Sequence, residues 1–355
     1  MRRGLISHAR LELPDAVLDA RLARVRAAMA EARLDALVLY SNNTRAAGVS
    51  WLTGFVPYWS EALLVLVREA PPILVVALTY RVKGWIERTS RVADVIHGPR
   101  IGREAARVIA GAKADAVVAV PGLDHLPAGI ADDLRSGGPR LVLTDASSMF
   151  APLRGQADAT EIALATKAAW IAQRALACAE LASSGGESLN AIIAATEGEG
   201  RRLGAEEVYI AAAPDLARDP RLRRIEGDVP LGKRFALRVT VAFQGTWIRL
   251  VRTFAEPDLL EAAQRTFASA VASLPDADGF TGFAAWLVEG CRVAQPLEPL
   301  MGSRIPAPIP IPSRALVSVQ GRLQIGDHAV LVGAPALLGL AGEAASLLVH
   351  PVLCS

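Results

Sequence analysis

The strongest constraint on the fold of this chain is the stretch Gly232 to Phe254, GKRFALRVTVAFQGTWIRLVRTF. Two β-rich runs flank the Gln244-Gly245 dipeptide, and a two-residue, glycine-containing link between such runs predicts a β-hairpin. If Phe243 pairs with Thr246, Thr240 falls opposite Arg249 and Arg238 opposite Val251. Side chains alternate across a sheet, so Arg238 and Arg249 then share one face as diagonal neighbours. At about 5 Å and an effective dielectric near 20, two guanidinium groups repel by roughly 3 kcal/mol, so a buried pair needs a counter-anion.

The rest of the chain divides by the order of its elements. Val17, Leu18, Leu22, Val25 and Met29 have helical spacing, which predicts a helix from Pro14 to Leu34 followed by a strand from Ala36 to Tyr40. Apolar runs at Ala62 to Val67 and Ile73 to Leu78 come next. Helices from Gly102 to Ala112 and Leu126 to Ser136 then alternate with strands from Ala116 to Val120 and Arg140 to Thr144. Such alternation is an α/β domain around a mixed sheet. Proline, glycine and polar residues break the pattern between Ala151 and Asp158, giving domains at 1–153 and 158–355. The second opens with helices, Glu161 to Leu181 and a segment capped at Glu187 or Ser188 that runs to Leu203, before the hairpin. That order predicts an α+β domain.

The hairpin resembles the metal-binding hairpin of the creatinase and aminopeptidase P family. Gly245 and the closing Arg252-Thr253-Phe254 match the family pattern. Arg33-Leu34-Asp35-Ala36-Leu37-Val38 and Trp51-Leu52-Thr53-Gly54-Phe55 are similar to that family's amino-terminal domain, while Glu161-Ile162 and Ala168-Ala169 match the opening of its second domain. The resemblance implies an α/β N-terminal domain of the creatinase type, a carboxy-terminal pita-bread α+β domain, and commonly a dimer. It also implies five metal ligands, and here the chain departs from the pattern. Arg238 and Arg249 stand where two aspartates would share divalent ions, Arg221 (in Pro220-Arg221) and Arg304 where histidines are expected, and Gln320 and Gly326 where two glutamates would complete the set. A guanidinium offers no lone pair and repels a cation. The expectation is therefore a member with no metal and no other cofactor, in which metal-assisted peptide hydrolysis has nothing to generate its hydroxide.

Composition narrows the alternatives. A net charge of +2, from 38 basic and 36 acidic residues, gives no general pull toward nucleic acid. No uncharged apolar run approaches a membrane span, and the amino terminus lacks the apolar core of a signal peptide. Cys178, Cys291 and Cys354 are too scattered for a disulfide framework, which fits a reducing, cytoplasmic location. No GxSxG elbow occurs, Cys178 sits in an apolar helical run, and Gly185-Gly186 is a helix break rather than a phosphate loop. Asp327-His328 points its side chains to opposite faces, Tyr209 belongs to an apolar strand, and the segment from Pro306 to Pro312 is a stiff connector.

Two readings of the arginines remain. Arg221, Arg238, Arg249 and Arg304, with Gln320, line a former active-site cleft and bind a small anionic ligand, since planar forks suit carboxylate or phosphate. Alternatively they turn to solvent or pair with Glu206, Glu207, Glu226 or Asp327. The functional expectation is a pseudoenzyme that binds a small anion or a partner subunit, as a homodimer or a hetero-oligomer with an active relative. A metal-independent hydrolase or lyase acting on a small anionic C–N compound is the second expectation; no catalytic residue is assigned.

Overall fold

The computed structural model describes residues 10–42, 47–57, 60–276, 278–291, 299–303, 311–339 and 345–348. The chain divides into two compact units, Met1–Gly155 and Gln156–Ser355.

The first unit is a three-layer α/β domain. Its elements are α1 (Asp15–Glu31), β1 (Ala36–Ser41), α2 (Ala47–Thr53), β2 (Ala62–Val67), β3 (Ile73–Val76), α3 (Lys83–Thr89), β4 (Asp94–His97), α4 (Ile101–Ala112), β5 (Val117–Val120), α5 (Ala128–Gly137), β6 (Val142–Asp145) and α6 (Ser147–Gly155). The sheet order is β4-β3-β2-β1-β5-β6. It is mixed, because β1, β2 and β3 pair antiparallel while β4, β5 and β6 join parallel. The period of two along β1 explains the layers. Leu37 and Leu39 pack on one face with Val25, Met29, Trp51 and Phe150, and Ala36 and Val38 on the other with Ile109, Ile130 and Leu134. Trp51 to Thr53 close a short helix, and α6 runs through Pro152 to Gly155 where the sequence suggested a break.

The second unit opens with α7 (Ala159–Ser184) and α8 (Leu189–Arg202). A capping box starts α7: the Asp158 carboxylate accepts from Glu161 N at 2.9 Å and Glu161 returns the bond. Ser188 caps α8, accepting from Ala191 N. Then follow β7 (Glu207–Ala213), β8 (Phe235–Phe243), β9 (Thr246–Phe254), α9 (Pro257–Ala272), β10 (Phe283–Gly290), β11 (Pro299–Gly302), β12 (Leu316–Ile325), β13 (His328–Leu337) and β14 (Ser346–Leu347). The strands form one antiparallel sheet ordered β11-β10-β12-β13-β9-β8-β7, with β14 on β13. One face of this sheet, through Leu237, Val239, Ile248, Leu250, Val317 and Val319, shares a core with Ala168, Ala172 and Leu176 of α7 and Phe267 of α9. The opposite face carries the candidate site.

Candidate functional site

The β8–β9 hairpin has the register that the sequence predicts: Phe243 pairs with Thr246, Thr240 with Arg249 and Arg238 with Val251. Gln244 (φ 47°) and Gly245 (φ 74°) both adopt the left-handed conformation that such a link requires. With Leu237, Val239, Ile248 and Leu250 turned into the helix-backed core, alternation sends Arg238 and Arg249 to the other face. Arg249 is only 1% exposed, and Arg238 is half-buried.

The nearby carboxylate comes from β10. Glu289 is 2% exposed. Burial pushes its carboxyl above the ordinary value, against the pull of Arg249, Arg238 and a hydrogen bond from Gln320. Gln320 of β12 bridges the two sides, its Nε2 donating to Glu289 Oε2 at 3.0 Å and its Oε1 accepting from Arg238 Nη1 at 3.4 Å. Burial also lowers the pKa of Arg238 and Arg249, with Glu289 opposing the shift in both, although a guanidinium keeps its proton throughout. Among the described residues, Arg238 Nε and the hydroxyl of Ser318, which pairs with Glu289 in register, are buried with no hydrogen-bond partner. Such atoms cost free energy unless something completes them.

The cluster straddles a seam in the sheet. β9 and β13 share one registered pair, Val251 with Gly333. Gln320 pairs with Gly333 and Arg238 with Val251, so the four positions form a row across β12, β13, β9 and β8. Gly333 keeps the middle of that row low: a Cβ there would stand 2.8 Å from Val251 Cγ2 and 3.0 Å from Gln320 Cγ. Arg238 reaches Gln320 over this floor. Farther along the seam, Thr253 Oγ1 donates to Leu331 O at 2.8 Å and accepts from Leu331 N at 2.9 Å, so a side chain stands in for ladder rungs.

The structure thus brings together Arg238, Arg249 and Gln320, and adds Glu289. It separates Arg221 from them. Its side chain is 80% exposed and grips Asp219 through Nε at 2.8 Å and Nη2 at 3.0 Å, because the Asp219 carboxylate two residues away is its nearest acid. Arg304 and most of the proline-rich stretch, 306–310, lie outside the described residues. The acids expected as alternative partners do other work. Glu206 accepts from Gly245 N, Glu207 faces Tyr209 and Arg201, and Asp327 and Glu226 are exposed. Gly326 lies in the β12–β13 turn with φ 56°, so Gly333 rather than Gly326 faces Gln320 across the ladder. His328 is exposed, with Nδ1 3.1 Å from Arg234 Nη1. Glu289 has one sequence signal, a lone acid closing the apolar run Trp286-Leu287-Val288.

Among the described residues no three His, Cys, Asp or Glu side chains gather as cation ligands. Two guanidiniums, an amide and one carboxylate do not fit a pair of divalent ions. They do fit an oxyanion, which accepts hydrogen bonds from planar forks. A separate cavity of about 550 Å³, lined by Phe235, Leu250, Arg252, Phe254 and Phe267, opens on the helix-facing side, away from this cluster.

Residues 21–156 match the creatinase/prolidase N-terminal domain family. No curated protein matches the chain. Among solved structures, the chain is similar to the prolidase from Pyrococcus furiosus (14% identity, TM-score 0.69, 93% of this chain and 99% of that one). It is also similar to the dipeptidase PepE from Mycobacterium ulcerans (18% identity, TM-score 0.69, 95% and 96%). The N-terminal domain of the FACT complex subunit SPT16 from chickpea, Cicer arietinum, superposes as well (13% identity, TM-score 0.61, 94% and 96%). The first unit of this chain is therefore a creatinase/prolidase N-terminal domain, and the chain as a whole has the two-domain pita-bread architecture of the prolidases.

Proposed function

We propose that this chain is a metal-free, non-peptidase relative of the prolidases that binds a small anion on the Arg238–Gln320–Glu289 face of its second domain. The observation that carries the reading is Arg238. Among the described residues this half-buried guanidinium has one hydrogen bond, to a neutral amide at 3.4 Å, and its Nε is buried without an acceptor. A carboxylate or phosphate oxygen would supply that acceptor. The test is thermal melting against carboxylates and phosphates, and separately against Mn²⁺, Co²⁺ and Zn²⁺. The expected result is a saturable upward shift with an anion, abolished in Arg238→Met, and no saturable shift with the metals; a tightly bound stoichiometric metal would sink the proposal.

Glu289 favours a second reading. A buried carboxyl with a raised pKa beside two guanidiniums has the character of a general acid. In that reading the chain is a metal-independent hydrolase or lyase for a small anionic C–N compound, with Glu289 moving the proton and the arginines holding the substrate. Turnover lost in Glu289→Gln with binding retained would establish it. A homodimer, or assembly with an active relative, and a cytoplasmic location complete the proposal; no helix among the described residues is long and apolar enough to cross a membrane.

A further inference from the structure

Arg221 belongs to a different cluster, a group of arginines around a second cavity. The connection between β7 and β8 carries Pro214, Pro220 and Pro230, each of which fixes a backbone angle. Its neck is tied by Gly232 N to Pro214 O at 2.9 Å and Leu216 N to Arg234 O at 3.0 Å. Leu216 and Leu222 anchor it on Ala213, Ala236, Val251 and Leu331. Arg223 forms a bridge with Ala212. A loop held at so many points has a well-defined backbone path.

Against this loop lies a cavity of about 690 Å³ lined by Arg218, Arg221, Arg223 and Arg322, with Asp215 and Asp219. Its two acids do not balance its four guanidiniums. Asp219 is engaged by Arg221 at 2.8 Å and Arg223 at 3.1 Å, and Arg221 first of all holds its carboxyl down to about 2, so it stays ionised and committed. Asp215 accepts from Ala217 N at 3.0 Å as a turn acid. Among the described residues Arg218 and Arg322 have no carboxylate partner. Arg322 follows Gln320 by two positions on the same face of β12, about 7 Å along the strand. The unpaired forks therefore line a concave site next to the buried cluster but distinct from it.

We infer that this cavity binds the phosphoryl group of a small phosphorylated metabolite. Arg218 and Arg322 would grip a dianionic group bidentately, with Arg221 and Arg223 held in place by Asp219. The volume exceeds that of bare phosphate and suits a phosphorylated small molecule. Calorimetric titration with pyrophosphate at constant ionic strength, on the full chain, tests the inference. A saturable binding step is expected, weakened about tenfold in Arg322→Gln and about tenfold again in Arg218→Gln/Arg322→Gln, each strong charge-assisted contact contributing about that factor. Arg135→Gln, an exposed arginine of the first unit, serves as the charge control. Equal weakening by the control would reduce the effect to general charge and overturn the inference. So would pyrophosphate binding that survives Arg218→Gln/Arg322→Gln and is lost in Arg238→Met, because the anion would then sit at the buried cluster. An absence of saturable heat in the wild type would overturn it as well.

Discussion

Replacing Arg238 by methionine should stabilise the protein in the absence of any ligand. The side chain is half-buried, and burial lowers its pKa, so the charged form costs free energy where it stands. Its buried Nε has no acceptor among the described residues, a deficit of about 1–3 kcal/mol. Attraction to Glu289 works against that cost without removing it, since the pKa of Arg238 stays lowered. What the substitution loses is the 3.4 Å bond to Gln320, about 1 kcal/mol, while methionine fills the volume of the stem. The net gain is about 1–2 kcal/mol. In a unit of about 200 residues that raises the melting temperature by roughly 2–8 °C. Calorimetry without added anion should show this rise in the transition of the second unit, and a saturating anion should stabilise the wild type but not the variant. A loss of more than about 1 kcal/mol in Arg238→Met would refute the reasoning, because it would make the guanidinium a satisfied member of the core rather than a group retained for binding.

Gly333→Ala should cost about 1–3 kcal/mol, since its Cβ would press on Val251 and Gln320; an unchanged melt would mean that the seam yields more easily than its 2.8 Å contact implies. Thr253→Val removes both bonds to Leu331 in the same volume and should cost about 1–3 kcal/mol by urea titration, and a neutral result would show that water replaces the hydroxyl. Anion affinity at the buried cluster should rise as pH falls through the raised pKa of Glu289, because protonation leaves the arginines without their carboxylate; Glu289→Gln should flatten that profile. The same shift has a sign for stability: a folded-state pKa above the unfolded value contributes stability at low pH that is lost as pH rises through it, and Glu289→Gln should remove this part of the melting profile.

The hairpin was legible because its signals are local. Alternation, a glycine link and its register place Arg238 and Arg249 on one face without any knowledge of the remaining chain. The first domain was legible for a similar reason, since alternating apolar periods mark β1, β2, α4, β5 and α5 directly. Glu289 was not. It joins the arginines only through the order β10-β12-β13-β9-β8, and nothing in the text from Phe283 to Gly290 states which strands lie beside it. α9 escaped too, although Pro257 at its start and apolar Leu260, Ala263, Phe267 and Val271 have helical spacing. Arg221 was placed by its position in a resemblance, whereas its side chain obeys the nearest carboxylate, and a loop position carries no period to fix where a side chain points.

The seam explains why this face concentrates unfinished polar groups. Strands β7, β8 and β9 form one half of the sheet and β10, β11, β12 and β13 the other, and the halves share one registered backbone pair. A sheet stabilised by few rungs at its middle must hold together by side chains there. On the helix-facing side the apolar core does so. On the other side Val251 and Leu331 share a small apolar cluster, Thr253 supplies two bonds, and the row from Arg238 to Gln320 to Glu289 adds two more. An apolar row could join the halves at lower cost than a buried guanidinium with an orphan nitrogen. Packing alone therefore does not account for Arg238, and an acceptor brought by a ligand is the term that would.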